Sequence, residues 1–481
     1  MVQKSIVKNY IYNLIYQLLI IVLPLITTPY LSRVLGADGI GIYSYTISIV
    51  TYFILFGTLG VAMYGQREIA YIRDNKDKTS ITFWEIVIFK FITMIISMII
   101  FYIIFVNGEK YQLYYQILLL ELFANIIDIG WFFQGLEEFK KTVSRNIIVK
   151  IMSIICIFIF VKTKEDLSKY ILIYTLSSLI GNATLWMYLP KYIKKIKLKE
   201  LNIIRHIKPT ISLFIPQIAM QIYTVLDKTM IGNILGDMNQ VGNYEQSQKI
   251  IKISLLLVTA LGTVMSPRIA NIISNNNKEE VKEHLKRSFR FVWMLGMPIT
   301  LGMIAVAGTL VTWFLGEGYS QSITLIRIGA LLIMAIGLNN VSGVQYLIPA
   351  KKQEIYTKSV IIGAIFNFIL NIFLIKPLNA EGAIIASVLV EFVILFIQLY
   401  YIREEIDVKI SYENSFKYII SGVIMFIVSY TIGIMMSPTI STTIIQIIAG
   451  IIVYGTGLII LKDSLVYNIL SNILAKLKGR I

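Results

Sequence analysis

Charge is scarce in this 481-residue sequence, and so are the residues that usually carry chemistry. Charged residues make up 15%, hydrophobic residues make up 56%, and the mean hydropathy is +0.73. Soluble domains carry about 25% charged residues. The composition therefore excludes a soluble enzyme with a single anchor and a disordered chain. The one cysteine, Cys156, cannot form an intramolecular disulfide, which excludes a disulfide scaffold.

Catalytic motifs are missing as well. The only histidines, His206 and His284, lie in charged segments, which argues against a histidine metal cluster or a Ser-His-Asp triad in the membrane. There is no Walker P-loop. There is also no acidic pair on a long outer loop, as a membrane glycosyltransferase needs, and no large outer loop, as a polysaccharide polymerase usually has. We predict that the protein is not an enzyme and has no catalytic residues, no metal site and no cofactor.

What the sequence does contain is a series of long apolar runs. A membrane-spanning helix needs about 20 apolar residues. The first run begins at Tyr10, is long enough to span and lacks a following cleavage site, so it is not a signal peptide. The sequence predicts an all-α polytopic membrane protein with about fourteen spans, at residues 10–32, 40–66, 81–106, 112–135, 146–161, 168–189, 209–235, 243–273, 291–315, 321–348, 357–375, 380–402, 416–436 and 440–461.

The positive charges give an independent test of this span count. If the N-terminus is cytoplasmic and the loops alternate, the inner segments hold 31 of the 44 Lys and Arg residues and the outer segments hold six. Lys and Arg concentrate in cytoplasmic loops, and one missed helix would invert every later loop. We therefore predict a multi-pass protein of the bacterial cytoplasmic membrane with both termini inside. The net charge of +16 then reflects topology, and we predict no nucleic-acid partner.

The two halves of the chain share a pattern about 200 residues apart. A Leu-Gly pair and a Gly-x-Tyr triplet follow the first span at Leu35-Gly36 and Gly41-Ile42-Tyr43, and the seventh at Leu235-Gly236 and Gly242-Asn243-Tyr244. Repeated halves with proline-interrupted helices are typical of transporters whose site lies between the halves. We predict an N-terminal helix bundle at 1–190, a cytoplasmic basic linker at 191–208, a C-terminal bundle at 209–402, and two additional helices with a cytoplasmic tail at 403–481.

Thirteen charged residues lie two or more positions inside the ends of the predicted spans, and each such charge costs about 2.5–3.5 kcal/mol at the bilayer centre. We expect them to face water or one another. Glu245, Lys249 and Lys252 share one helix face, and the first two have the favourable order for an ion pair. A line of cations suits an anionic substrate. The predicted substrate-binding cations are Lys90, Lys228, Lys249, Lys252, Arg268 and Arg327.

Two further sets of residues each have two alternative roles. Asp128, Asp227, Glu245 and Glu391 are candidates for coupling to an ion or for simple ion pairing. Pro24, Pro29, Pro216 and Pro267 are candidate hinges, although membrane helices also tolerate proline without function. Arg327 is equally compatible with a cavity and with a side chain that extends towards the membrane surface.

Several stretches of the chain together resemble one family. They are Arg33–Tyr43, Asp128–Gly135 with Phe139, Asp227–Gly232, Val241–Glu245, Met265–Ala270 and Asn379–Ile384. In this order they resemble the motifs of the Wzx-type polysaccharide flippases of the multidrug/oligosaccharidyl-lipid/polysaccharide (MOP) exporter superfamily. The resemblance runs from about residue 10 to residue 400.

This resemblance implies fourteen helices in two pseudo-symmetric, MATE-like bundles that alternate access to a central cationic cavity. It also implies a substrate, an undecaprenyl-diphosphate-linked oligosaccharide that moves from the inner to the outer leaflet during O-antigen or capsule synthesis. Besides membrane lipid, the implied partners are a coupling cation (H⁺ or Na⁺), a polysaccharide polymerase and a chain-length regulator.

Four alternatives remain open on the sequence. A lipid II or sporulation-type flippase would need nearly the same chemistry. A multidrug/cation antiporter of the same superfamily would need a more acidic cavity than seven embedded cations and six acids provide. A membrane glycosyltransferase or polymerase is disfavoured by the short outer loops. A scaffold that transports nothing can be excluded only by a transport measurement.

Overall fold

The computed structural model describes residues 6–108, 110–275 and 277–467, and it is helical across these ranges apart from turns. Two π-helical segments, Tyr102–Val106 and Asn340–Leu347, continue α3 and α12. The helices are α1 (Ile6–Thr58), α2 (Val61–Ile72), α3 (Lys76–Phe101), α4 (Gln112–Ile126), α5 (Gly130–Gly135), α6 (Phe139–Phe160), α7 (Leu167–Trp186), α8 (Ile207–Leu235), α9 (Met238–Ser274), α10 (Lys278–Phe314), α11 (Ser320–Gly329), α12 (Leu331–Asn339), α13 (Gln353–Ile402), α14 (Ser415–Met435) and α15 (Ile440–Ile460).

Two of these helices are too long to be single spans. A 50-residue helix would measure about 75 Å, whereas the hydrocarbon core of a bilayer is about 30 Å thick. Each contains one residue with non-helical backbone angles, Gly36 (φ 69°, ψ 176°) in α1 and Asn379 (φ 55°, ψ −142°) in α13. These breaks separate predicted spans one and two, and eleven and twelve.

The described part of the chain has eleven helices that are long and apolar enough to cross a membrane. Two of them contain the breaks at Gly36 and Asn379, and α8 covers the predicted span at 209–235 in addition. The prediction of an all-α polytopic membrane protein is therefore confirmed. Predicted span two is interrupted at Leu59 and Gly60, which both have positive φ, and predicted span four is interrupted between α4 and α5.

The chain forms two compact units, Met1–Gly242 and Asn243–Ile481. The first unit contains α1 to α8, and the second contains α10 to α15 and most of α9. The predicted linker at 191–208 belongs to the first unit, where it contacts α3: Nζ of Lys194 lies 2.7 Å from Oδ1 of Asp77. The predicted domain limits remain predictions.

The repeated sequence pattern has a matching geometry, all of it within the first unit. Gly36 and Gly236 have φ of 69° and 68°, left-handed values that glycine adopts without penalty. A Cβ on Gly41 would lie 1.8 Å from the carbonyl oxygen of Met238, and a Cβ on Gly242 would lie 1.9 Å from that of Ala37. The two Gly-x-Tyr glycines thus let α1 and the start of α9 cross backbone to backbone.

Aromatic packing and polar side-chain contacts both join helices within the units. In the first, the aromatic stretch of α5 packs on α3, with the rings of Phe83 and Phe132 4.7 Å apart. In the second, polar groups join α10 to α15: the Thr309 hydroxyl donates to Gln446 Oε1 at 2.6 Å, and Trp313 Nε1 donates to Thr443 Oγ1 at 2.8 Å. Such bonds satisfy polar groups that hydrocarbon cannot.

Candidate functional site

Lys90 is a buried cation of the first unit. It lies on α3 with a 4% exposed side chain, and its Nζ donates to the backbone carbonyl of Asp128 at 2.9 Å. Oδ1 of Asp128 in turn accepts the backbone N–H of Gly130 at 2.8 Å, at the N-terminal turn of α5. Lys90 and Asp128 therefore hold the break between α4 and α5, and a role for either in substrate binding or ion coupling remains a prediction.

Asp227 and Lys228 lie on α8 at the level where α8 packs on the second part of α1. Asp227 is 5% exposed and Lys228 is half-buried. Directly after Lys228, Thr229 Oγ1 lies 3.0 Å from Ser48 Oγ, and one turn further the hydroxyl of Tyr45 donates to Asn233 Oδ1 at 2.5 Å. The predicted pair thus sits beside a polar helix contact that fixes the rotation of α8.

The predicted charge line on α9 is present as an ion pair followed by an exposed lysine. Nζ of Lys249 lies 3.6 Å from Oε1 of Glu245, one helical turn away, and Lys252 is exposed. Because Lys249 is itself only half-buried, both cations are accessible to a charged ligand. Their binding role remains a prediction.

The two predicted arginines occupy different surroundings in the second unit. Arg327 lies at the end of α11 with its guanidinium 5.8 Å from the ring centre of Tyr430 on α14, and its buried Nε has no hydrogen-bond partner among the described residues. Arg268 is exposed on α9 and lines a pocket with residues of α10. The structure thus places Arg327 against α14 and Arg268 at an open surface.

Glu391 and the prolines complete the predicted set. Oε2 of Glu391, buried on α13, accepts the amide of Asn339 at 2.6 Å. Pro24 and Pro29 lie inside α1 and Pro267 lies inside α9, without a break at any of them. Pro216 falls within the bounds of α8, and its side chain lies outside the described ones. The observed breaks are at Gly36 and Asn379, so the hinge assignments remain predictions.

No group of three or more His, Cys, Asp or Glu side chains that could hold a metal ion occurs within residues 6–108, 110–275 and 277–467.

Two family models match this chain over overlapping ranges. Residues 6–273 match the family model described as "Polysaccharide biosynthesis protein", more than half of the sequence. The chain belongs to the polysaccharide biosynthesis protein family. Residues 212–373 also match the MatE family model.

Individual relatives support this family assignment. It is 27% identical over 405 residues to a protein of Escherichia coli (strain K12) described as "Putative O-antigen transporter", covering 83% of this chain and 97% of that one. It is 25% identical over 147 residues to the lipid II flippase MurJ of Bacillus subtilis (strain 168), 30% of this chain and 26% of MurJ.

Solved structures share the fold. The inward closed lipid II flippase MurJ superposes with a TM-score of 0.75 at 17% identity, covering 95% of this chain and 100% of MurJ. An inward-facing MATE transporter of the MOP superfamily gives 0.60 at 13%, covering 82% and 99%. The predicted Wzx-type flippase of the MOP superfamily is confirmed.

Among the described residues, Glu85 and Asp463 are buried carboxylates outside the predicted set that each form an ion pair with an arginine. Glu85 on α3 is 1% exposed; it forms an ion pair with Arg205, accepts the backbone N–H of Asn202 at 2.6 Å, and lies 2.8 Å from Nε2 of His206. The hydroxyl of Tyr64 lies 2.6 Å from the other ring nitrogen of that histidine. This cluster fixes the end of the linker on α2 and α3. The only sequence feature that pointed to this cluster was Glu85 itself, an acid inside a predicted span and next to a basic segment.

Asp463, directly after α15, is the second. Its side chain is fully buried, with Oδ2 2.6 Å from Nη2 of Arg290 and 3.0 Å from the hydroxyl of Tyr418, while Oδ1 accepts the backbone N–H groups of Leu465 and Val466. Burial raises the pKa of Asp463, but the bonds from Arg290, Val466 and Tyr418 outweigh it and hold the pKa below its usual value. No sequence signal pointed to this cluster, because Asp463 lies in the predicted tail.

Proposed function

We propose that the protein moves an undecaprenyl-diphosphate-linked oligosaccharide repeat unit from the inner to the outer leaflet during surface polysaccharide synthesis. The observation that carries this proposal is the similarity to the Escherichia coli O-antigen transporter over 83% of the chain. The function would be transport by alternating access, without catalytic chemistry.

The physical task explains the embedded cations. A diphosphate cannot cross hydrocarbon unaided, because burying an unpaired charge costs many kcal/mol. The prenyl tail can stay in the bilayer throughout. Lys228, Lys249, Lys252 and Arg268 would neutralise the head group in a water-filled cavity. Lysine and arginine bind phosphate as a point charge and as a fork, respectively.

The proposal includes topology and partners. Both termini would lie in the cytoplasm, as the distribution of Lys and Arg favours, with the linker at 191–208 on the same side. The polymerase and chain-length regulator would act on the product outside. A coupling cation, H⁺ or Na⁺, would drive the cycle, with Asp128, Asp227, Glu245 and Glu391 as the candidate carboxylates.

A second candidate is a lipid II flippase. The TM-score of 0.75 with MurJ favours the shared fold, and both substrates would carry a diphosphate. The identity in that superposition is 17%, which supports the fold alone, whereas the similarity to the O-antigen transporter over 83% of the chain supports the repeat unit.

The test is a gene deletion in cells whose initiating glycosyltransferase is intact, followed by mass spectrometry of extracted prenyl-diphosphate oligosaccharides. We expect a complete repeat unit to accumulate on the inner leaflet and the surface polymer to disappear. Accumulation of lipid II would favour the second candidate. An unchanged lipid pool with altered drug efflux would contradict both and favour an antiporter.

Complementation with variants then tests the cations. The double substitution Lys249→Gln with Lys252→Gln is expected to lower surface polymer at least tenfold at equal protein level. Lys282→Gln is the control, because Lys282 lies on α10 in an exposed pair with Glu279. Full transport after neutralising Lys228, Lys249, Lys252 and Arg268 together would refute the cationic cavity.

A further inference from the structure

A pocket of about 620 Å³ opens in the second unit where the end of α9, the start of α10 and the turn after α15 meet. Four cations line it, Arg268, Lys286, Arg287 and Arg290, against one acid, Glu283. His284 is also in the lining and lies within electrostatic range of Arg268 and Arg287. The charged side chains that line the pocket therefore lie close to one another.

The four cations differ in their acidic partners. Arg290 is held by the buried Asp463, and Lys286 lies 2.9 Å from Glu413. Arg287 pairs with Glu283 at 3.0 Å, but both of these side chains are more than half exposed, so water competes with the pair. Arg268 has no ion pair within the described ranges. Two guanidinium groups, those of Arg268 and Arg287, are thus available to an incoming anion.

A second observation points to a ligand. Ser288 lines the pocket with 1% of its surface exposed, and its buried Oγ has no hydrogen-bond partner in the part of the chain that the structure describes. Buried hydroxyls are nearly always hydrogen-bonded, so an orphan one calls for an explanation. An oxygen-rich group bound beside it would supply the missing partner after a small movement.

The rest of the wall is apolar. Leu261 and Met265 from α9, Phe291 from α10, and Leu465 after α15 complete the lining. A small hydrophilic anion would leave this surface unused, whereas a molecule with a charged head and a hydrocarbon chain would use both parts.

We propose that this pocket binds the phosphate group of an anionic membrane lipid, with the first carbons of its chain against the apolar wall. The turn between α9 and α10 is predicted to be cytoplasmic, and basic pockets on that side are suited to lipid phosphates. The shared chemistry is a phosphate ester on an apolar chain, whether on a phospholipid or on a prenyl phosphate. This inference goes beyond the proposed transport function and shares one residue with it, Arg268.

The test is native mass spectrometry of the delipidated full-length protein in detergent, titrated with four probes. These are dioleoyl phosphatidylglycerol, dioleoyl phosphatidylcholine, undecaprenyl phosphate and inorganic phosphate. We expect the two anionic lipids to bind and phosphatidylcholine to bind at least tenfold more weakly. Tighter binding of undecaprenyl phosphate would identify a prenyl lipid as the occupant, and tighter binding of phosphatidylglycerol would identify a phospholipid.

Three variants separate binding from folding. One cation near a membrane surface contributes about fivefold in lipid affinity. Arg268→Gln should therefore weaken binding of the anionic lipids about fivefold, whereas Glu283→Gln should strengthen it, since it removes the acid of the pocket wall and releases Arg287. Lys282→Gln, on the same helix but outside the pocket, should bind as the unaltered protein does.

The opposite responses of Arg268→Gln and Glu283→Gln are the decisive readout, since a purely structural effect would weaken binding in both. The proposal is overturned if Arg268→Gln binds the anionic lipids as tightly as the unaltered protein does. It is also overturned if phosphatidylcholine binds as tightly as the anionic lipids. Inorganic phosphate binding as tightly as the lipids would overturn the lipid part. Phosphatidylglycerol binding and the Glu283→Gln response separate this proposal from the transport function, because neither that lipid nor Glu283 belongs to the proposed transport site.

Discussion

Glu85 in the first unit and Asp463 in the second are both buried carboxylates paired with an arginine, yet their partners differ. The arginine of Glu85, Arg205, is 49% exposed, and a histidine shares the carboxylate. The arginine of Asp463, Arg290, is 16% exposed and also contacts Tyr418. One cluster fixes an irregular linker that water can reach, and the other joins α10, α14 and the chain after α15.

This difference teaches how the cost of a buried charge depends on what remains when its partner is removed. An exposed guanidinium recovers hydration after it loses its carboxylate, whereas an enclosed one does not. The Asp463 cluster should therefore contribute more to stability than the Glu85 cluster, although both carboxylates are equally inaccessible.

The largest effect is expected for Asp463→Asn. The substitution keeps the size of the side chain but leaves Arg290 without a counter-charge, which costs about 3–5 kcal/mol for a buried pair. A reversible unfolding titration in detergent measures it. Glu404→Gln is the control, because Glu404 is 83% exposed and its Oε1 lies 3.9 Å from Nη2 of Arg403, which makes a weak ion pair. If Asp463→Asn lowered the free energy of unfolding less than Glu85→Gln does, the order of the two clusters would be reversed.

Glu85→Gln should have a smaller effect on stability, about 1.5–3 kcal/mol, the range for hydrogen bonds to charged groups. It should also release the linker, so proteolysis within residues 191–208 should accelerate. Asp77→Asn is the matched control, because Asp77 contacts the linker through Lys194 but is 69% exposed. Equal proteolysis rates in Glu85→Gln and the unaltered protein would argue against linker fixation.

The crossing of the repeated glycines gives a third measurement within the first unit. Gly41→Ala would bring a methyl group against a backbone carbonyl that cannot rotate away, and overpacking of this kind costs about 1–3 kcal/mol. Gly455→Ala is the control, since a Cβ there meets nothing within 4 Å and alanine favours helix. If both variants are equally stable, the crossing is looser than the distances indicate.

Much of the architecture was predictable because the bilayer imposes its thickness on every span. Hydropathy gave the spans, and the Leu-Gly and Gly-x-Tyr pattern marked the segments in which the structure has positive φ and a close crossing, although the pattern predicted neither. The break at Asn379 was placed between two spans by their lengths alone.

The side-chain clusters were not predictable, since they join residues distant in the sequence. Arg290 and Asp463 are 173 residues apart, and Glu85 and Arg205 are 120 apart. Lys90 shows the same limit. Its position predicted a group facing water or another charge, and it did not predict that the ammonium donates to the backbone carbonyl of Asp128 at a helix break. Sequence alone gives the membrane depth of a charge but not its partner.

The smallest expected effect is a pH dependence that belongs to the second cluster. Because the pKa of Asp463 is held below its usual value, the folded state favours the ionised carboxylate. That contribution is fully present above the unfolded-state pKa of about 3.9 and is lost as the pH falls through the lower pKa of the folded protein. Thermal unfolding between pH 7 and pH 3 should therefore show a steeper loss of stability in the unaltered protein than in Asp463→Asn, which has already lost the carboxylate. Parallel curves would mean that Arg290 does not favour the ionised form, and the contrast between the two clusters would then rest on packing alone.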